Sequence, residues 1–390
     1  MLGQHGMAVP EVEVLQSEVA RLRSALETER PVLVRNDVGA PFPYFGTKRL
    51  AAATIWAALG ADIPNVVIPF AGSLSELWAR PAIGKVETVN DASGLVANFW
   101  RAVQADPDAV AENADKPVIE VDLHAWHMHL VREAQGLRER LERSPFEFDA
   151  VLAGRWAWGA SAWLGSGWCD PGLLTAEGAP PKRRPEISGG SGRARNGHGV
   201  HRTELPTLGE VVNKIRSQLP SLSGGGSTGV GYGRGVHKGD ARREGLVGWM
   251  RALADRLRYV RVICGDFERI LTPAVTTSHG LTGVILDPPY AQDMRTKNIY
   301  AHEDANAAKR AAAWARDHGD DPLLRIVLCG LEGEHNMPGW RCVAWKGHGG
   351  YGLQGTGRGR KNRDRERLWL SPGCLDLAPS EQMNLLSSLE

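Results

Sequence analysis

The chain has 390 residues, of which 42% are hydrophobic, and a formal net charge of +1. At about 150 residues per domain this length gives one large or two medium domains with proper cores, and the composition excludes a disordered chain. No apolar run approaches the roughly 20 residues of a membrane span and no basic-then-apolar leader opens the sequence, so a soluble cytoplasmic protein with no membrane partner is expected.

The first patterned stretch is Val12, Leu15, Val19, Leu22 and Leu26, an apolar seam at alternating spacings of three and four on a charged helix. Two heptads are too few for an autonomous coiled coil, so this helix either docks on the body or dimerises weakly. Residues 41–60 read as a loop running into a helix, with Gly46 allowing close backbone approach and Lys48 presented at the helix start. Asn65 to Trp78 reads as strand, tight turn and helix, the layout of a nucleotide-type cofactor site, with Pro69, Phe70, Gly72 and Ser73 in the turn. Lys85 to Asp91 is the next strand; an acid about twenty residues after a glycine turn can accept both hydroxyls of a ribose. Gly94 to Gln104 follows as a helix with Leu95, Phe99 and Val103 inward.

Asp122 to His129 reads as an amphipathic helix whose His124, His127 and His129 lack the spacing and distant third ligand of a zinc site, so no metal is expected. The five cysteines are scattered and without a C-x-x-C pair, which argues against a disulfide framework or structural zinc. Trp156, Trp158, Trp163 and Trp168, interleaved with glycines, read as a packed helix and turn with no site role. From about Gly178 to Glu244 the composition shifts to Gly, Ser, Pro and Arg, and residues 181–243 carry twelve Lys and Arg against four acids. Such a segment suits phosphate contacts and groove entry, or is a plain surface insertion.

Tyr259 to Phe267 is another strand ending in an acid and an aromatic. Val284-Ile285-Leu286 then reads as a buried strand that Asp287-Pro288-Pro289 stops, because proline supplies no ladder N–H. A carboxylate, a carbonyl and the Tyr290 ring are left together on a stiff turn, a site for a flat amino-bearing ring. The amine of adenine is a poor nucleophile, its lone pair being delocalised; Asp287 and the Pro288 carbonyl can accept its two N–H groups while Tyr290 stacks. Ala301 to His318 reads as a helix and Leu324 to Gly330 as a strand, so strand and helix alternate around Asp287 as in a doubly wound sheet. A basic glycine loop between two final strands, in residues 345–372, closes the pattern.

Asp287-Pro288-Pro289-Tyr290 resembles the catalytic motif of the Dam-like DNA adenine-N6 methyltransferases, and the likeness extends over about residues 41–105 and 258–372. Tyr44, Gly46 and Lys48 match the family's N-terminal loop, which touches cofactor and target base. Pro69, Phe70, Gly72 and Ser73 match its Pro-Phe-x-Gly-x-Gly turn, with Leu74 in place of the second glycine, where a side chain could crowd the cofactor while Gly72 and Ser73 still supply close backbone approach. The resemblance makes Asp91 the ribose ligand and puts Asp266 and Phe267 against the cofactor's adenine. It implies an α/β fold, a Rossmann-like doubly wound methyltransferase sheet with an inserted helical and flexible DNA-recognition region. The divisions expected are an N-terminal helix over 1–40, a cofactor-binding half over 41–120, the insertion over 121–249, a catalytic half over 250–375 and a tail over 376–390. It further implies S-adenosylmethionine as cofactor, DNA as partner, and methyl transfer to N6 of a flipped-out adenine. Cytosine N4 or RNA as acceptor, and a non-catalytic DNA-binding relative, stay open beside it.

Overall fold

The computed structural model describes residues 39–44, 46–82, 86–163, 168–170, 236, 243–290, 306–345 and 363–377, all within the compact unit Gly39–Glu390. The N-terminal apolar seam, the loop 346–362, and the basic segment other than Val236 and Arg243 lie outside the described residues.

Seven strands form one sheet: β1 (Asn65–Ile68), β2 (Val86–Asp91), β3 (Val260–Cys264), β4 (Thr282–Leu286), β5 (Leu324–Leu331), β6 (Arg341–Ala344) and β7 (Glu366–Leu370). Their order is β3-β2-β1-β4-β5-β7-β6; the first five are parallel, and β7 runs antiparallel to both β5 and β6. The helices are α1 (Ala52–Leu59), α2 (Ser75–Trp78), α3 (Gly94–Ala105), α4 (Pro107–Ala114), α5 (Glu120–Arg143), α6 (Ala150–Ala162), α7 (Arg243–Leu257) and α8 (Ala307–His318). No helix among the described residues is long and apolar enough to cross a membrane.

Every residue of β1 and β4 is buried, which is why Val66 to Ile68 and Val284 to Leu286 read as unbroken apolar runs rather than alternating ones. On β4, Val284 and Leu286 join Ala311, Ala312 and Ala315 of α8 in one apolar cluster, while Gly283 on the opposite face abuts Leu59 of α1. Successive strand residues point to opposite faces, so helices cover both sides of the sheet. The chain builds outward from β1 through β2 to β3, then returns to the other side of β1 with β4. The strand order therefore reverses between β1 and β4, and a crevice opens beyond their C-terminal ends.

Side-chain amides fix that edge. Asn90 donates through Nδ2 to the Pro69 carbonyl at 3.1 Å and the Gly265 carbonyl at 3.0 Å, tying together the ends of β1, β2 and β3. Asn65, at the opposite end of β1, donates to the Thr282 hydroxyl at 2.9 Å and the Val275 carbonyl at 2.9 Å. The helices α5 and α6 pack on α3, and α6 also on α4. Asp149 caps α6 by accepting the Leu152 N–H at 2.9 Å, and its own backbone exchanges two hydrogen bonds with Asn98 of α3, at 2.7 and 2.8 Å. Residues 120–162, the start of the expected insertion, are thus part of the body around the sheet.

Candidate active site

The turn after β1 is shaped by one glycine. Gly72 has φ +45°, and the Tyr44 ring lies so close that a Cβ there would stand 2.6 Å from it. Only glycine satisfies both conditions. Its N–H donates to Asp91 Oδ2 at 2.9 Å, the Ser93 N–H donates to Oδ1 at 2.8 Å, and the Trp100 indole holds the Gly72 carbonyl at 2.9 Å. Burial pushes the Asp91 carboxyl up to about 6, against the pull of those two N–H donors.

Leu74 stands where the glycine turn departs from the pattern it resembles. It sits at φ 54°, ψ 31°, the left-handed conformation that a glycine adopts freely, and its side chain is fully buried. That conformation turns the side chain into the core, and Leu74 is not among the residues lining the cleft.

Across the crevice, Asp287 follows β4 directly and meets Lys48, whose Nζ lies 2.7 Å from Asp287 Oδ1. The same ammonium donates to the Gly46 carbonyl at 2.8 Å and to the Tyr290 hydroxyl at 3.2 Å. Tyr290 in turn donates to Glu366 Oε2 at the start of β7. The Lys48 N–H is anchored on Ser75 Oγ at 3.0 Å, so the loop before α1 is pinned to the glycine turn. Lys48 is 1% exposed. Burial alone would lower its pKa, but Asp287, Tyr290 and Glu366 outweigh this and hold it well above the ordinary lysine value, so it stays charged.

The carboxyls nearby show the converse. Burial raises Asp287, with Lys48 pulling it back, and raises Glu366 in the same way. Glu76, on the first turn of α2, is pushed up to about 7 by burial and by the charge of Asp287. Three carboxyl groups thus crowd around one buried ammonium, and burial raises the pKa of each.

All fourteen residues singled out in the sequence line one cleft: Tyr44, Gly46, Lys48, Pro69, Phe70, Gly72, Ser73, Asp91, Asp266, Phe267, Asp287, Pro288, Pro289 and Tyr290. At one end the Phe70 and Phe267 rings lie 4.9 Å apart, and Asp266 accepts a two-pronged hydrogen bond from Arg310 of α8 at 2.8 and 2.9 Å. At the other end stands the Lys48, Asp287 and Tyr290 group.

The helical segment also supplies a wall that the sequence did not reveal as site: Arg138, Trp156, Ala160, Trp163 and Trp168. Trp168 lies flat on Gly159, where a Cβ would come within 1.9 Å of its ring, and donates to the Trp156 carbonyl at 3.1 Å. His127 stacks on Trp163 with ring centroids 5.0 Å apart and accepts the Cys169 N–H at 3.2 Å. Among the described residues no group of three His, Cys, Asp or Glu side chains could hold a metal ion. The tryptophan and glycine spacing was the signal for this wall; for Glu366 and Glu76 the sequence carried none.

The donor set fits a nucleoside-bearing cofactor. Each Asp91 oxygen already accepts one N–H and faces the cleft beside the glycine turn, which suits a vicinal diol. The paired phenylalanines offer apolar faces to a base. No protein-family model matches this chain, and a search of curated proteins finds no match either.

Proposed function

We propose that the cleft is the active site of a methyltransferase that uses S-adenosylmethionine to methylate N6 of a flipped-out adenine in DNA. The observation that carries this is the meeting of two separate stretches at the strand-order reversal: the glycine turn with Asp91, and the Asp287 to Tyr290 turn. The seven-stranded sheet with its antiparallel end, and helices on both faces, supports the Rossmann-like methyltransferase arrangement that the sequence resemblance implies. Bound S-adenosylmethionine supplies an electrophilic methyl group. Asp91 would hold the ribose hydroxyls, and the mutually packed Phe70 and Phe267 would offer an apolar face to the cofactor's base, with Asp266 beside it.

Lys48 engages Asp287 Oδ1, which leaves Oδ2 to accept one N–H of the target amine, with the Pro288 carbonyl accepting the other. Both acceptors push electron density back toward the amine nitrogen. Tyr290 stacks on the base, and because its hydroxyl is tied to Glu366 and Lys48, the ring is held before the base arrives. A stacked amine inside a duplex is out of reach of this turn, so the base has to leave the helix first. The feature that favoured a non-catalytic relative was crowding by Leu74, and its buried side chain removes that motive.

The test is transfer of labelled methyl groups from S-adenosylmethionine to unmethylated duplex DNA. Protein-dependent label in the DNA is expected. Tight cofactor binding with label only in RNA, or in no acceptor, would overturn the proposal.

A further inference from the structure

Exchanging an N–H of the amine for N–CH3 leaves the C–S electron pair on the cofactor sulfur and frees one proton, which has to leave a closed site. Resting on the methyltransferase assignment, we propose that this proton passes from Asp287 through Lys48 and Tyr290 to Glu366, which makes Glu366 a positioning and proton-accepting residue of the site.

The contacts are continuous. Asp287 Oδ1 stands 2.7 Å from Lys48 Nζ, Nζ donates to the Tyr290 hydroxyl at 3.2 Å, and that hydroxyl donates to Glu366 Oε2. Once Asp287 has taken the amine proton, each group gives one proton forward and takes one from behind. Lys48 ends as an ammonium, Tyr290 as a neutral phenol and Asp287 as a carboxylate, so only Glu366 changes charge. The site resets once Glu366 passes that proton on to solvent.

The surroundings of Glu366 suit an acceptor. It opens β7, two places along the strand from the buried Leu368. Lys48, Asp287 and Tyr290 face it across the site, Cys329 lies behind it on β5, Glu334 stands on the turn after β5, and Arg367 donates to its backbone carbonyl at 2.9 Å. Burial raises its pKa above the ordinary glutamate value, with Lys48 pulling it back, which makes it a better proton acceptor than an exposed glutamate. The other two carboxyls are less suited. Asp287 is already used to hold the amine, and Glu76 hydrogen-bonds within its own turn to Ser75 and accepts the Trp56 indole N–H on its backbone carbonyl at 2.8 Å.

The experiment is single-turnover methyl transfer to duplex DNA across pH 5.5–8.5 with wild type, Glu366→Gln and Tyr290→Phe, alongside cofactor binding and thermal melting. The wild-type rate is expected to rise with pH as Glu366 ionises. Glu366→Gln should lose about 10²-fold in rate and that rising limb, with cofactor affinity within about twofold of wild type. Glu366→Asp should recover part of the limb. Tyr290→Phe keeps the ring but removes the hydroxyl, and should lose the same limb, which keeps the test open should Glu366→Gln fail to fold. A wild-type rate profile retained in folded Glu366→Gln or Tyr290→Phe would overturn the relay alone. Wild type that binds cofactor yet transfers no methyl group would overturn the methyltransferase assignment and the relay with it.

Discussion

Asp91 is where the chemistry of the cleft is most exposed to measurement. Its carboxyl sits at about 6 because burial disfavours the charge. In the folded protein without cofactor this works against stability. An acid with a folded pKa above its unfolded one is destabilising once pH exceeds both values, and that penalty fades as pH falls toward the ordinary carboxylate range. On the proposed reading, ribose hydroxyls donate to the ionised form, so cofactor binding would draw on the fraction of Asp91 that has lost its proton. Affinity for S-adenosylmethionine should therefore rise roughly tenfold between pH 5 and pH 7, as followed by calorimetry. Asp91→Ala should bind more weakly and with no such slope; an unchanged slope would remove Asp91 from the ribose. Leu74 offers a second test at this scale. Returning a glycine there relieves roughly 1 kcal/mol of left-handed strain but empties a buried leucine site worth about 3 kcal/mol. Leu74→Gly should melt lower, by about 2 kcal/mol in chemical denaturation, while binding cofactor as wild type does.

Among the elements, the strands were the most legible in the sequence. Val66 to Ile68 and Val284 to Leu286 are short aliphatic runs with sharp ends, and burial on both faces of a parallel sheet leaves that signature, whereas the more polar Val86 to Asp91 was marked by its terminal acid. The two motifs that end on β1 and β4 could be placed for the same reason, since a glycine turn and an Asp-Pro-Pro turn are local events. What α5 and α6 touch was not local. Their spacing shows amphipathic helices, but only packing on α3 and α4 turns Trp156, Trp163 and Trp168 toward the cleft. Glu366 was hidden for a like reason: it reaches Tyr290 across 76 positions of sequence. The wall is testable at Gly159. Alanine gains helix propensity there of up to about 1 kcal/mol. Its methyl group, however, would stand 1.9 Å from the Trp168 ring, which has to move. Gly159→Ala should lose about 1–2 kcal/mol of stability and shift the tryptophan fluorescence, with weaker ligand binding in the cleft. A variant as stable as wild type, with unaltered emission, would show that Trp168 does not rest on α6 in solution.

At the scale of the whole molecule, the sheet brings together chain segments that are far apart in sequence. The glycine turn and Asp91 come from the first quarter of the chain, Asp266 and Asp287 from beyond the glycine-rich basic segment, and Glu366 from the last strand. The reversal of strand order between β1 and β4 is what sets them around one crevice. On the proposed reading, the basic segment with its twelve Lys and Arg is the candidate contact for the DNA backbone. The central claim is that Asp287 presents the amine of adenine to a methyl donor, and the most direct measurement is of the modified nucleoside itself. Duplex DNA incubated with labelled S-adenosylmethionine and either wild type or Asp287→Ala is digested to nucleosides and separated. Label in N6-methyldeoxyadenosine with wild type, and at least about 10²-fold less with the variant, is the expected result. Label in a methylated cytosine, or equal label from the two proteins, would contradict it.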